Sequence, residues 1–358
     1  MPIGLNVITH SRQSKYKFCP RAHWLAYEQG IRAEDPGEPL RGGAAFHDGL
    51  DDLNQLGDLD HACSVIYGHY AEVPRWAEAY EWACEAEKFI RLLCGYEWRW
   101  RDDGLKVIAS EFQFELPIVN PETEMPSRTF VRGGKIDAIV QLPDGRIAVE
   151  ETKTTSEPLD DDSDYWRRLR RDEQISGYMD AARKCGFAVE TVLYDAIHKP
   201  QLRPLRATPP ELRKYTKDGR LYANQRECDE SPHEYGDRIA ADIVERPDHY
   251  YVRKEIPRLE SDLRQYEAEL WQTARQIREA ELKGFWFRNT NACCTIGRQC
   301  EFHKDICDMD IDATTPLPRG WRRVEVLHEE LENARNHESA AGAAAHEGAA
   351  AGEPVSAS

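Results

Sequence analysis

An α/β fold is predicted by three observations: apolar residues at helical spacing through most of the first hundred positions, alternating and β-branched segments between Val107 and Lys153, and then helix, strand and helix again. Ser11 to Gly30, Arg41 to Leu56 and Pro74 to Cys94 read as helices rich in Ala, Leu and aromatics. VIASEFQFEL then alternates, KIDAIVQL is apolar and β-branched, and IAVEETKTT follows the turn signal Pro143-Asp144-Gly145, so a three-stranded meander is expected. Asp164 to Cys185 returns to helix and 189–197 is a further strand. Leu259, Leu263, Tyr266 and Leu270 mark the apolar stripe of a long helix ending near Gly284. The segment from Ser339 to Ser358 has nine Ala, three Gly and no large apolar side chain except Val355, so nothing in it offsets the entropy of ordering. The folded body is expected to end near Asn333, with 334–358 a disordered tail.

Charge limits the function. The 358-residue chain sets 47 Lys and Arg against 64 Asp and Glu, a net charge of −17, which excludes a protein that coats nucleic acid through bulk charge. The distribution is uneven: from His198 to Arg226 eight basic residues face only Glu211 and Asp218, and from Glu227 to Tyr250 eight acids face Arg238 and Arg246. The two stretches either neutralise one another across the fold or leave a basic strip for an anionic partner. No apolar run approaches the ~20 residues of a membrane helix, and the first residues lack a secretory core, so a cytoplasmic protein with reduced thiols is expected.

The chemistry concentrates in the meander. Asp137 precedes the turn, and Glu151 and Lys153 follow it. Residues two apart on a strand share a face, so Glu151 and Lys153 point one way, toward Asp137, while Glu150 and Thr152 point the other. Two converging carboxylates suit a hard cation such as Mg²⁺, and a lysine beside them can orient or deprotonate a bound water, the parts of metal-assisted phosphodiester hydrolysis.

Gly134-Lys135-Ile136-Asp137, a turn, and Val149-Glu150-Glu151-Thr152-Lys153-Thr154-Thr155 resemble the core of the PD-(D/E)XK nucleases, in the branch of RecB-type exonuclease domains and CRISPR adaptation nucleases. The resemblance spans roughly Ser11 to Cys307. It implies a restriction-endonuclease-like fold, a central mixed sheet flanked by helices with a helical N-terminal region and a C-terminal cysteine segment. It also implies one domain over 1–333: helices to residue 100, catalytic core 105–197, a charge-segregated insertion 198–250, and a long helix and cysteine clasp 255–310. Gly43-Ala44-Ala45-Phe46-His47 resembles the branch's helical motif, which makes His47 a metal ligand alongside Asp137, Glu151 and Thr152, with Mg²⁺ or Mn²⁺ as the ion. Gln174-Ile175-Ser176-Gly177-Tyr178 resembles its Gln-x-x-x-Tyr motif, whose spacing puts both side chains on one helical face supporting the catalytic residues. Glu111 stands where the branch often has an acid, and the arginines of Trp166-Arg167-Arg168-Leu169-Arg170-Arg171 either touch phosphates or are solvated.

Five of the ten cysteines, Cys63, Cys84, Cys94, Cys185 and Cys228, are scattered and read as small apolar residues. The others are ordered: Cys19 near the start, then Cys293-Cys294, Cys300 and Cys307. Thiolates select soft or borderline metals, so four of them fit an iron–sulfur cluster or zinc rather than Mg²⁺. One cysteine before the core and three after it resemble the iron–sulfur clasp of part of this branch, including phage-associated relatives. A [4Fe-4S] cluster on Cys19, Cys293, Cys300 and Cys307 is the expectation, with Cys294 the alternative to Cys293, and zinc, with His303 available, or bare thiols the alternatives to the cluster. The function implied is a metal-dependent nuclease on DNA ends or single strands, in recombination, repair, CRISPR-like adaptation or phage DNA metabolism, with a helicase or adaptation partner conceivable. A binding module for DNA ends or a partner, retaining the fold without turnover, is the competing reading. A zinc-stabilised RNA-processing enzyme is weaker, because no RNA-recognition motif is present.

Overall fold

The Thr9 hydroxyl accepts the Arg12 N–H at 3.2 Å, so α1 (His10–Phe18) begins directly after the short strand β1 (Val7–Ile8). The computed structural model describes residues 7–295, 298–328 and 331, with side chains throughout except at 294, 295, 298 and 299; the expected tail lies outside the described residues. Pro20 opens α2 (Pro20–His23), which passes through a π-helical turn (Trp24–Glu28) into β2 (Ile31–Ala33). Three helices follow, α3 (Glu38–Leu56), α4 (Leu59–His69) and α5 (Ala79–Trp100). The sequence reading did not separate α4. Gly49 lets α3 and α4 close, since a Cβ there would stand 2.8 Å from Ile66.

The meander forms as β3 (Lys106–Val119), β4 (Pro126–Gln141) and β5 (Ile147–Thr155), with Gly145 at φ +92° in the expected turn. The helix expected over 164–185 is two, α6 (Asp164–Leu169) and α7 (Glu173–Lys184), because Asp172 accepts the N–H groups of Gln174 and Ile175 and starts a new helix. β6 (Val189–His198) pairs parallel with β5, and after α8 (Pro232–Glu245) and α9 (Pro247–Tyr250) the strand β7 (Tyr251–Ile256) pairs antiparallel with β6. α10 (Glu260–Lys283) ends at Gly284, φ +60°, as its pattern predicts.

The result is a six-stranded mixed sheet in the order β1-β4-β5-β6-β7, with β3 also on β4. Since β3 runs along one edge of β4, β1 and β5 must share the other edge. β1 meets it at Val131 and Arg132, and β5 meets it from Ala138 to Gln141. Residues 133–137 of that edge have no strand partner among the described residues. One face of the sheet packs Ile139, Val149, Val192 and Tyr194 against Ile175 and Met179 of α7. Helices α3, α4, α5 and α8 pack together at the other side around Phe46, Ile66, Phe89, Leu93, Ile239 and Ile243. Within 198–250, α8 packs into this layer, and 199–231 is an excursion without α-helix or ladder strand.

The N-terminal helices are tied down by Arg12, only 2 % exposed, which donates to the Val7 carbonyl at 2.9 Å, Glu28 at 3.1 Å and His23 Nε2 at 3.1 Å. His23 accepts from a guanidinium and so must be neutral. Burial, then Arg12, lower its pKa from 6.5 to about 2. A depressed histidine pKa contributes stability that is present above the unfolded value and lost as pH falls below it. Between pH 6.5 and 4.5 the protein is expected to lose about 2–3 kcal/mol through His23. His23→Gln, which keeps an acceptor, is expected to flatten that part of a urea-denaturation pH series; an unchanged slope would refute the assignment.

Candidate active site

At the gap in the β4 edge the ladder with β5 ends, and a side chain continues it: Asp137 Oδ2 accepts the Thr152 N–H at 2.9 Å. The two strands part there. Ile139 and Val149 lie in the apolar layer under α7, and on β5 the two-residue period carries that face forward to Glu151 and Lys153, while Asp137 meets them from the unpaired edge of β4. Glu150 faces the other way, as expected, with Oε1 3.5 Å from Arg253, which also holds Asp195 at 2.6 Å. The buried Thr152 side chain likewise faces away, so the contact this residue makes with the site is its backbone.

α3 supplies the imidazole. Gly43, one turn before His47, sets α3 against β5, with Thr154 Oγ1 3.6 Å from where a Cβ would stand, and His47 Nδ1 stands 3.6 Å from Asp137 Oδ2. Gln174 Nε2 donates to the Tyr178 hydroxyl at 3.2 Å, and both lie on α7 over the same face. Asp137, Glu151, Lys153, His47, Gln174 and Tyr178 are thus brought together.

The electrostatics follow from burial. Glu151 is 1 % exposed and its Oε1 is ion-paired with Lys153, while its Oε2 accepts no hydrogen bond among the described residues. Burial raises its pKa to about 8, against the pull of Lys153 and with a further push from Asp137. Burial opposes the charge on Lys153, yet Glu151, Asp137 and Tyr178 outweigh it and hold the ammonium pKa above its ordinary value. Burial lowers the His47 pKa against the attraction of Asp137, so the imidazole keeps an unprotonated nitrogen. Tyr178 is raised by burial and by Glu151 and remains a phenol.

Two residues of the site were not read from the sequence. Asp172, the cap of α7, acts electrostatically on both Glu151 and His10. His10 is half-buried, desolvation lowers its pKa to about 4, and its Nδ1 has no hydrogen-bond partner among the described residues. The capping signature Asp172-Glu173-Gln174 was legible; nothing marked His10, which enters from a separate segment. Glu111 is ion-paired with Lys135 and, at φ +49°, is one of two non-glycine residues in the left-handed region among those described. Its neighbours Ser110 and Phe112 pair with Ala138 and Ile136, which sets it opposite Asp137. Of the arginine run, Arg168 is paired with Glu157 and Arg167 with Asp164 at the surface, while Trp166 and Leu169 are buried.

The donor set fits a hard divalent cation: two carboxylates, an unprotonated imidazole, and a buried carboxylate oxygen, Glu151 Oε2, with no hydrogen-bond partner among the described residues. Among the described residues no three His, Cys, Asp or Glu side chains already stand close enough together to hold an ion. The clasp cysteines gather in one apolar cluster: Cys19 and Cys300 are buried among Ala22, Leu25, Phe302 and Ile306, and Cys293 and Cys307 pack against them. Burial raises the Cys300 thiol, with Cys19 and Cys307 adding to the effect, and Cys19 Sγ accepts the Asn289 N–H at 3.3 Å. The Cys294 side chain lies outside the described residues. No helix among the described residues is long and apolar enough to cross a membrane.

No curated protein matches the chain. Among solved structures, a candidate exonuclease from Eubacterium rectale is similar at TM-score 0.44 and 11% identity, over 83% of this chain and 90% of that one. The protein SSO0001 is similar at TM-score 0.25 and 13% identity, over 67% and 76% of the two chains. The family model of the PD-(D/E)XK nuclease superfamily matches residues 7–308, the span that carries the parted strands and all their facing residues, and the chain belongs to that superfamily.

Proposed function

We propose that this protein is a divalent-metal-dependent deoxyribonuclease of the RecB-like branch, acting on DNA ends or single strands, with residues 1–333 forming one nuclease domain. The observation that carries the reading is the convergence of His47, Asp137, Glu151 and Lys153 where β4 and β5 part. Bound Mg²⁺ or Mn²⁺ supplies a low-pKa water and charge neutralisation for phosphodiester hydrolysis. Asp137 and Glu151, with His47 and the backbone of Thr152, hold the ion. Thr152 fixes the orientation of the Asp137 carboxylate by its N–H. Lys153, kept as an ammonium by the two acids, offsets negative charge on the scissile phosphate and serves as a donor rather than as a base. Tyr178, accepting from Gln174, keeps its own proton as a second donor on the same face.

The cysteine cluster supports a [4Fe-4S] site on Cys19, Cys293, Cys300 and Cys307, or zinc on the same set. The donors are thiols in an apolar shell, and the Cys19 sulfur accepts a backbone N–H, a bond that stabilises a ligating thiolate. A helicase or adaptation partner follows from the resemblance alone.

Manganese titration followed by electron paramagnetic resonance tests the cation site without turnover. Asp137→Asn is expected to weaken Mn²⁺ binding by about tenfold to a hundredfold, as loss of one charged oxygen donor should. Equal binding by wild type and variant would remove Asp137 from the metal site.

A further inference from the structure

The excursion 199–231 leaves the sheet beside the catalytic strand: the Lys199 N–H donates to the Thr155 carbonyl at 2.7 Å, at the end of the strand that carries Glu151 and Lys153. The sequence left open whether its basic residues are neutralised. The structure divides them. Arg206 is paired with Glu81 and Asp229, Arg226 is 3.5 Å from Glu234, and Arg213 donates to the Thr208 and Glu227 carbonyls at 2.9 Å each. These pin the foot of a small hairpin, reinforced by Gln225, which bonds Lys214 N and the Leu212 carbonyl across it at 2.6 and 3.0 Å.

Above that foot, Tyr215 pairs with Leu221 and the chain turns at Gly219, φ +77°. Lys214, Lys217 and Arg220 are exposed and have no ion pair among the described residues, and only Asp218 opposes them at the tip. Tyr215 and Tyr222 are 53% and 46% exposed, beside Leu212 at 60%, and neither ring stacks on another among the described residues. Large side chains held out of the core on a braced hairpin, interleaved with free cations, are what a strand with unpaired bases binds: phosphates on the cations, bases on the rings. In a chain of net charge −17 this is also a place where a polyanion meets locally favourable charge within a Debye length of ~8–10 Å.

We infer that the 212–225 hairpin is an auxiliary binding site for single-stranded nucleic acid, gripping the strand outside the cleavage site. The inference rests on the nuclease reading only for the use of that grip in delivering substrate.

The test is fluorescence anisotropy of a labelled 20-nucleotide oligothymidylate with the full chain in EDTA, over a salt series. Tyr215→Ser/Tyr222→Ser is expected to weaken binding by about 30-fold. Lys214→Gln/Lys217→Gln/Arg220→Gln is expected to reduce the slope of log affinity against log salt by about 2. All five side chains are exposed, so circular dichroism melts should match wild type. Wild-type affinity in both variants would overturn the inference, as would equal loss of blunt duplex binding by the tyrosine variant, or displacement of the oligonucleotide by polyglutamate at equal charge. Strand binding without cleavage in Mg²⁺ would leave the grip standing and refute the nuclease, whereas cleavage with hairpin variants that bind normally would do the reverse.

Discussion

Lys153→Ala is expected to reduce DNA cleavage by at least about a thousandfold and to weaken Mn²⁺ binding, while leaving the fold and strand binding intact. The size follows from losing a donor aimed at developing charge in a buried site, which costs about 10²–10³ for a neutral donor and more for an ammonium. Glu151 makes the prediction sharper. Burial raises its pKa to about 8 even against the pull of Lys153, so removing the ammonium makes the carboxyl still harder to ionise for a cation. The variant therefore loses a phosphate donor and part of the cation's ligand charge together, and Lys153→Arg is expected to recover little, because a planar guanidinium cannot replace a point charge beside Glu151. Single-turnover cleavage of a radiolabelled oligonucleotide measures it; a Lys153→Ala enzyme within tenfold of wild type would refute the role.

The second large effect concerns stability. Cys19 lies at the end of α1, some 270 residues from the cysteines that join it, so a metal centre there closes almost the whole chain into a loop. Cross-linking a loop that long removes about 5–6 kcal/mol of freedom from the unfolded chain, and metal binding adds directly to folding. Cys19→Ala or Cys300→Ala is expected to yield protein without visible absorption and with a thermal midpoint lowered by roughly 5–10 °C. Anaerobic purification with iron analysis and a melting curve checks both. A variant as coloured and as stable as wild type would exclude that cysteine. Zinc without iron in the wild type would replace the cluster by the alternative centre.

The parts legible in the sequence were those governed by short-range periodicity. Glu151 and Lys153 could be set on one face because strand side chains alternate, and Gln174 and Tyr178 because helix positions four apart align. The turn at Gly145 and the end of α10 at Gly284 followed from residues that tolerate positive φ. What escaped depends on contacts distant in sequence. β1 is two residues long and becomes a strand only because β4 exposes an edge to it, yet it delivers His10 to the site. His47 was visible only through its motif, since nothing in the periodicity of α3 distinguishes it from another histidine on a helix. Glu111 shows its left-handed backbone only where β3 lies against β4. That Tyr235, Ile239 and Ile243 share one buried helix face is not visible in the composition of the charge-segregated stretch.

The most direct measurement is cleavage of end-labelled single- and double-stranded DNA by anaerobically purified wild-type protein with Mg²⁺, Mn²⁺ or EDTA. Metal-dependent product, absent in EDTA and shortened progressively from one end, is the predicted result. Stable DNA binding with no cleavage in either metal, by protein whose cation site is filled, would contradict the enzyme and leave a binding module built on a nuclease fold.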